Sequence, residues 1–332
     1  MKILIIRLSS IGDIVLTTPV VRGLRQAFPD ATLHYLTRTP YAPLLTGLGL
    51  DCVLTEDDAP GELLPRLKAE RYDYVADLHC NRRSAQLRRA LGVPAHGFPK
   101  EDLRRVAYVA TKRCPGDIRP VLERYFDAVR PLGVRHDGRG AELHLDPSRL
   151  TEQWATGDAK PDVSESVVLV CGAAHYTKQI PAERLLDLCH RLPMPTVLIG
   201  GPRERDAWQL LSPLLPQRTT NLCGRLTLEQ SAQLVSEAAV VVTPDTGMMH
   251  IAAAFRRPVV AVWGCTTPRM GFAAYDTCVA NFEVSLACRP CSRFGNRRCP
   301  RRHFDCIKRQ DWQAIASKTE ELYLNNKHTP HD

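Results

Sequence analysis

The chain has 332 residues, 44% of them hydrophobic, with 44 Lys and Arg against 36 Asp and Glu. That length suits two domains of about 150 residues each, and that apolar content excludes a disordered chain. No uncharged run reaches the roughly 18 apolar residues of a membrane-spanning helix, and Arg7 and Asp13 break the apolar start too early for a signal peptide, so a cytoplasmic protein is expected.

The chain opens on a run of Ile and Leu, Lys2 to Leu8, without alternation, which predicts a parallel strand covered on both faces. The loop Ser9-Ser10-Ile11-Gly12-Asp13 follows, then a helix to Phe28. Pro19 predicts either a helix start there, capped by Thr18, or a kink. Further strands are predicted at Thr32 to Thr37, Cys52 to Thr55 and Tyr74 to Leu78, with a helix at Gly61 to Glu70. The polar stretch Asp146 to Ser166 reads as a linker. Beyond it, strands at Val167 to Cys171, Thr196 to Gly200, Ala239 to Thr243 and Val259 to Trp263 alternate with helices at Ala182 to Leu192, Glu204 to Leu215, Leu228 to Glu237 and Thr246 to Phe255. Such alternation predicts parallel βαβ units in an α/β fold of two Rossmann-like domains, 1–155 and 156–309, followed by a helix over 310–325. Two facing doubly wound domains would place a ligand cleft at the carboxyl ends of their strands.

Charge is unevenly spread. Residues 288–309 hold eight Lys/Arg and one Asp, and residues 82–113 hold nine Lys/Arg and two acids, while the remainder is net acidic. Two basic segments point to an anionic ligand or surface. No nucleic-acid module signature is present and the 6% aromatic content offers few stacking platforms, so nucleic acid is not expected.

Four loops carry candidate chemistry. After the strand ending at Thr243, Asp245-Thr246-Gly247 opens a helix whose first amides and dipole suit a diphosphate, with His250 one turn on and Asp245 as its cap. An ordinary capped helix with a core histidine reads equally well. Asp13 stands past the first strand, where a carboxylate can act as general base or simply cap a helix. Lys178 follows the glycine turn Cys171-Gly172 and can reach a phosphate, or be solvated. Glu204, after Gly200-Gly201, can accept from ribose hydroxyls or sit in a helix's first turn. Gly-x-Gly-x-x-Gly is absent from the first loop, which argues against a dinucleotide dehydrogenase.

The stretches Ile5 to Pro19, Asp77 to Ser84, Asn221 to Glu229 and Asp245 to Pro268 together resemble glycosyltransferase family 9, the ADP-heptose:lipopolysaccharide heptosyltransferases. The resemblance implies a GT-B fold, in which the helix over 310–325 crosses back to the first domain, and inverting transfer from an ADP-sugar without a metal or other cofactor in catalysis. It makes Asp13 the base. Lys178 and the amides of Thr246 and Gly247 hold the diphosphate, with Asp245, His250 and Glu204 around the donor. The acceptor, an anionic lipopolysaccharide-core sugar at the inner membrane, would meet Arg7, Arg38, Arg82 and Arg83, and the enzyme would touch that membrane peripherally. The pair Ala173-Ala174 departs from the Thr-Thr of some members. Other readings are a GT-B enzyme with a different nucleotide sugar or acceptor, and a non-catalytic binder of anionic ligands on the same scaffold.

The spacing Cys288-x2-Cys291-x7-Cys299-x6-Cys306 can bind a structural zinc ion tetrahedrally; disulfides or free thiols in an arginine-rich loop fit it as well.

Overall fold

The computed structural model describes residues 1–56, 61–114, 116, 118–145, 154 and 160–327. Most of the expected linker, and residues 328–332, lie outside the described residues. The chain forms two compact units, divided otherwise than at the expected boundary. Met1–Glu101 and Arg119–Asp146 make the first; Asp102–Ile118 join Pro147–Asp332 in the second.

In the first unit, β1 (Lys2–Ile6) lies at the centre of a five-stranded parallel sheet of order β3-β2-β1-β4-β5. Its partners are β2 (Thr32–Thr37), β3 (Cys52–Thr55), β4 (Tyr74–Asp77) and β5 (Ala95–Gly97). Ile3, Leu4, Ile5 and Ile6 are fully buried, as a strand covered on both faces requires. Each such side chain contributes roughly 1.5–3 kcal/mol by leaving water. Of the two readings of Pro19, a helix start holds, one residue earlier than expected, and the kink does not. α1 (Ile11–Val15) ends and α2 (Thr18–Ala27) restarts with Thr17 as N-cap, so the missing N–H of Pro19 falls in a first turn, where it costs nothing. Next come α3 (Leu63–Ala69) and α4 (Arg82–Leu91), the latter capped by the Asn81 side chain accepting from the Ser84 amide.

α5 (Asp102–Thr111) belongs to the second unit although it precedes α6 (Val121–Tyr125) of the first. The second unit's six-stranded parallel sheet runs β11-β10-β9-β6-β7-β8. Its strands are β6 (Val167–Val170), β7 (Thr196–Ile199), β8 (Thr219–Asn221), β9 (Val240–Pro244), β10 (Val259–Trp263) and β11 (Val279–Glu283). Its helices are α7 (Ala182–Arg191), α8 (Arg205–Leu211), α9 (Leu228–Glu237), α10 (Gly247–Ala254), α11 (Asp305–Lys308) and α12 (Trp312–Lys327). α12 was expected to return to the first domain; it is part of the second unit, packed on α7, β9 and β10. There Trp312, Ile315, Ala316, Leu322 and Tyr323 join the core formed by Val167, Leu169, Leu185 and Val240. Both sheets carry the strand order of a doubly wound fold, whose ligand crevice lies where the order reverses: between β1 and β4 in one unit, between β6 and β9 in the other. Among the described residues no helix is long and apolar enough to cross a membrane.

Candidate active site

In the first unit the loop after β1 carries Asp13. Its Oδ1 is held by the Arg7 guanidinium at 2.8 Å and by the Tyr125 hydroxyl at 3.1 Å; its Oδ2 accepts from the Ser10 hydroxyl at 2.9 Å. Arg7, expected on the acceptor, is buried and committed locally. It also donates to the carbonyls of Ser9 and Leu78, tying the loop after β1 to the loop after β4. Burial, the largest influence, lowers the Arg7 pKa, but Asp13, Tyr125 and Tyr35 together more than offset it; the net shift is upward and the cation persists. Burial pushes the Tyr125 hydroxyl well above its ordinary value, so it remains a neutral donor to Asp13.

Across the switch point, fully buried Asp77 ends β4 and organises the next turn. It accepts from the amides of His79 and Cys80 at 3.0 and 2.7 Å, from the Ser84 hydroxyl at 2.9 Å and from Arg88 at 3.2 Å. This turn aims His79, whose Nδ1 is buried without a hydrogen-bond partner. Desolvation, with the nearby Arg7 and Lys100 cations, pushes its pKa down to about 4. A histidine neutral when folded but protonated near pH 6.5 when unfolded loses stability as pH falls from about 6.5 toward 4. Allowing for solvent screening of the half-buried ring, the loss should be about 1–2 kcal/mol. Urea midpoints at the two ends of that range should differ less in His79→Gln than in the parent; equal differences would show that His79 does not carry the effect.

The remaining acceptor candidates lie nearer solvent. Arg38 and Arg83 share the Glu56 carboxylate at 3.5 and 2.7 Å, and Arg82 is exposed at the first position of α4 without an ion-pair partner among the described residues.

In the second unit, Lys178 stands after β6 and Asp245 after β9, on the two sides of the switch point. Their charged groups meet at 2.7 Å, both largely buried. Asp245 was read as a cap of α10; instead Thr246 is the N-cap, and Asp245 is spent on Lys178 and on the Thr266 hydroxyl, 2.7 Å away. The amides of the first turn of α10 have no intrahelical partner and face the same end of the sheet. His250 is buried in α10. Glu204 packs against the glycines after β6 and β7. A Cβ at Gly172 would come within 2.9 Å of its carboxylate oxygen, so the close approach needs glycine.

The model of glycosyltransferase family 9 (heptosyltransferase) matches residues 61–299. The chain belongs to that family. Lipopolysaccharide heptosyltransferase 2 of Escherichia coli K12 is 24% identical over 296 residues, covering 81% of this chain and 84% of that protein. Lipopolysaccharide heptosyltransferase 1 of Pseudomonas aeruginosa is 25% identical, with 98% of each chain covered. The solved structure of the E. coli ADP-heptose lipopolysaccharide heptosyltransferase II superposes with a TM-score of 0.73 at 20% identity, covering 98% of this chain and 100% of that one. A family 9 glycosyltransferase from Veillonella parvula gives 0.74 at 19%, covering 98% and 97%. The fold is therefore GT-B, and this chain is a glycosyltransferase.

Sequence reasoning passed over several residues of this family 9 site. Tyr125 carries no local signal, because only folding brings it to the end of β1; His79 follows β4 directly, but its burial without a hydrogen-bond partner is set by the fold. Arg289 is another. Its guanidinium binds the carbonyls of Gly264, Thr266 and Val284 and the Glu283 carboxylate, stapling the loops after β10 and β11 beside Asp245. Cys265 accepts from the Thr177 hydroxyl at 3.1 Å next to Lys178. Cys288, Cys291, Cys299 and Cys306 are free thiols, and among the described residues no group of three or more His, Cys, Asp or Glu is arranged to hold a metal ion.

Proposed function

We propose that this glycosyltransferase moves a heptosyl group from ADP-heptose to the inner core of lipopolysaccharide, with inversion and with no metal ion in the chemical step. The observation that carries the reading is the buried Lys178–Asp245 pair, set beside the first turn of α10 at the switch point of the second sheet. A lysine and first-turn amides are the donors a departing diphosphate needs, and each such donor is worth a few kcal/mol when it is oriented in advance. The curated relatives are named as lipopolysaccharide heptosyltransferases, and one solved neighbour is named for ADP-heptose.

In this scheme an acceptor hydroxyl gives its proton to Asp13 as its oxygen bonds to the anomeric carbon. The bond from that carbon to the β-phosphate oxygen breaks, and ADP leaves with the electron pair. Lys178 and the amides of Thr246 and Gly247 take up the charge. Glu204 binds ribose hydroxyls, and Asp245 and His250 flank the donor. Arg38, Arg82 and Arg83 meet the anionic acceptor. Arg7 and Tyr125 orient Asp13 rather than touching substrate.

Incubation with a Kdo–lipid A or heptosyl acceptor and a panel of ADP-, GDP- and UDP-sugars should yield a mass increment of one heptose from ADP-heptose alone, with or without EDTA. Transfer only from a GDP- or UDP-sugar would overturn the donor assignment. Loss of transfer in EDTA, restored by Mg²⁺, would overturn the metal-free step. Binding of ADP-heptose without turnover on any acceptor would favour a non-catalytic binder.

A further inference from the structure

α5 presents two stripes. Arg105 and Tyr108 face inward and are buried, with Val109 packed beside them on Ile118, Met270 and Phe272. On the opposite side Leu103, Val106, Ala107 and Ala110 recur at i, i+3, i+4 and i+7, the spacing of an apolar helix face. That spacing ordinarily marks the side turned to a core, yet all four are exposed, Leu103 by 86% and Val106 by 47%. A contiguous apolar stripe left in water marks an interaction surface.

The stripe is bordered by cations. α5 is held on the Cys/Arg-rich segment by three contacts within the second unit. Asp102 pairs with Arg293 at 2.7 Å, the Lys112 ammonium donates to the Pro290 carbonyl at 2.8 Å, and the Arg105 guanidinium lies over the rings of Phe272 and Phe294. Residues 102–113 carry four Lys/Arg and one Asp, and residues 288–309 carry eight and one. Together they exceed the net +8 of the whole chain. Arg113, Arg297 and Arg298 are exposed and have no ion-pair partner among the described residues. The only acid of α5, Asp102, is already neutralised by Arg293.

We propose that the outer face of α5, together with the basic segment it packs on, docks this enzyme onto an anionic phospholipid bilayer. The helix lies along the interface with Leu103 and Val106 in the boundary between headgroups and acyl chains. Arg113, Arg297 and Arg298 meet lipid phosphates around it. The charge pattern selects this occupant. A nucleic acid would satisfy the arginines but offers no apolar counterpart to the stripe. A second copy of the chain would bring two strongly basic segments against each other across a small contact. Docking does not depend on which sugar is transferred, so its test reads membrane binding separately from transfer.

The full chain should co-sediment with vesicles of phosphatidylcholine and phosphatidylglycerol at low salt, release as salt rises, and ignore pure phosphatidylcholine. Leu103→Glu/Val106→Glu should weaken vesicle binding by about tenfold or more. Leu103→Ser/Val106→Ser removes the apolar contact without adding acid and should act in the same direction. Arg113→Gln/Arg297→Gln/Arg298→Gln should lower affinity and flatten the salt dependence. All variants should keep the parent's melting temperature and its turnover on a delipidated, water-soluble acceptor, while losing turnover on acceptor embedded in vesicles. Parent-like vesicle binding by the apolar and charge variants would overturn the proposal. So would a dimer that the Leu103/Val106 substitutions split, which would show that a second copy covers the face. Loss of turnover on the soluble acceptor would place the stripe in the transfer machinery instead.

Discussion

Asp13→Asn should lower turnover by about 10²–10⁴-fold while leaving the fold and ADP affinity close to the parent's. In the proposed scheme the carboxylate is the base that takes the acceptor proton, and the amide cannot take one. The surroundings predict a folded variant. An Asn oxygen can still accept from Arg7 and Tyr125, and Ser10 can rotate its hydroxyl to suit the other side. Arg7 keeps its carbonyl partners, those of Ser9 and Leu78, but loses its counter-charge, so the variant should fold with a lowered melting temperature. Near-parent turnover would exclude Asp13 as the base. Arg7→Lys separates positioning from chemistry. It keeps the charge but loses the fork that reaches both loops, so kcat should fall more than acceptor KM rises.

Lys178→Ala should weaken ADP binding and slow transfer together, by about 10²–10³-fold in turnover for one lost charged donor. It has a second consequence that the pairing makes unavoidable. Asp245 is buried and faces Lys178 at 2.7 Å. Among the described residues, removing the lysine leaves that carboxylate with the Thr266 hydroxyl and no cation, and an uncompensated buried charge costs about 3–5 kcal/mol. The double substitution Lys178→Ala/Asp245→Asn removes both charges and should recover much of the lost melting temperature while remaining inactive. If stability returns and ADP affinity returns with it, Lys178 is a structural partner of Asp245 and not a phosphate ligand. Calorimetric titration of ADP against the three variants decides this.

The backbone frame of both units was legible in the sequence. Runs such as Ile3 to Ile6 and Val240 to Val242 have no polar side to turn outward, so each must be buried on both faces, and a parallel sheet is the arrangement that does so. The positions of Asp13, Lys178, Glu204 and Asp245 just past strand ends followed from the same reading, because a strand-to-helix turn is visible locally. Of the edge strands only β3 was legible: β5 and β8 have three residues each, and β11 alternates partly exposed side chains, so none of these three carries an apolar run.

What only the tertiary structure decided is which group each charged residue meets. Asp245 has the local signature of a helix cap, yet the chain folds Lys178 against it, and Thr246 takes the N-cap position without a side-chain cap bond. Arg7 has the signature of a free cation, but it lies one step past β1, beneath Asp13 and beside Leu78, where its fork is consumed. α5 sits in sequence between elements of the first unit, and its apolar spacing could have served either of its faces. The packing of Arg105 and Tyr108 chose the inner one and left Leu103 and Val106 in water. Periodicity specifies that a helix has an apolar face; it does not specify against what, because that depends on residues distant in the chain and brought near only by the fold.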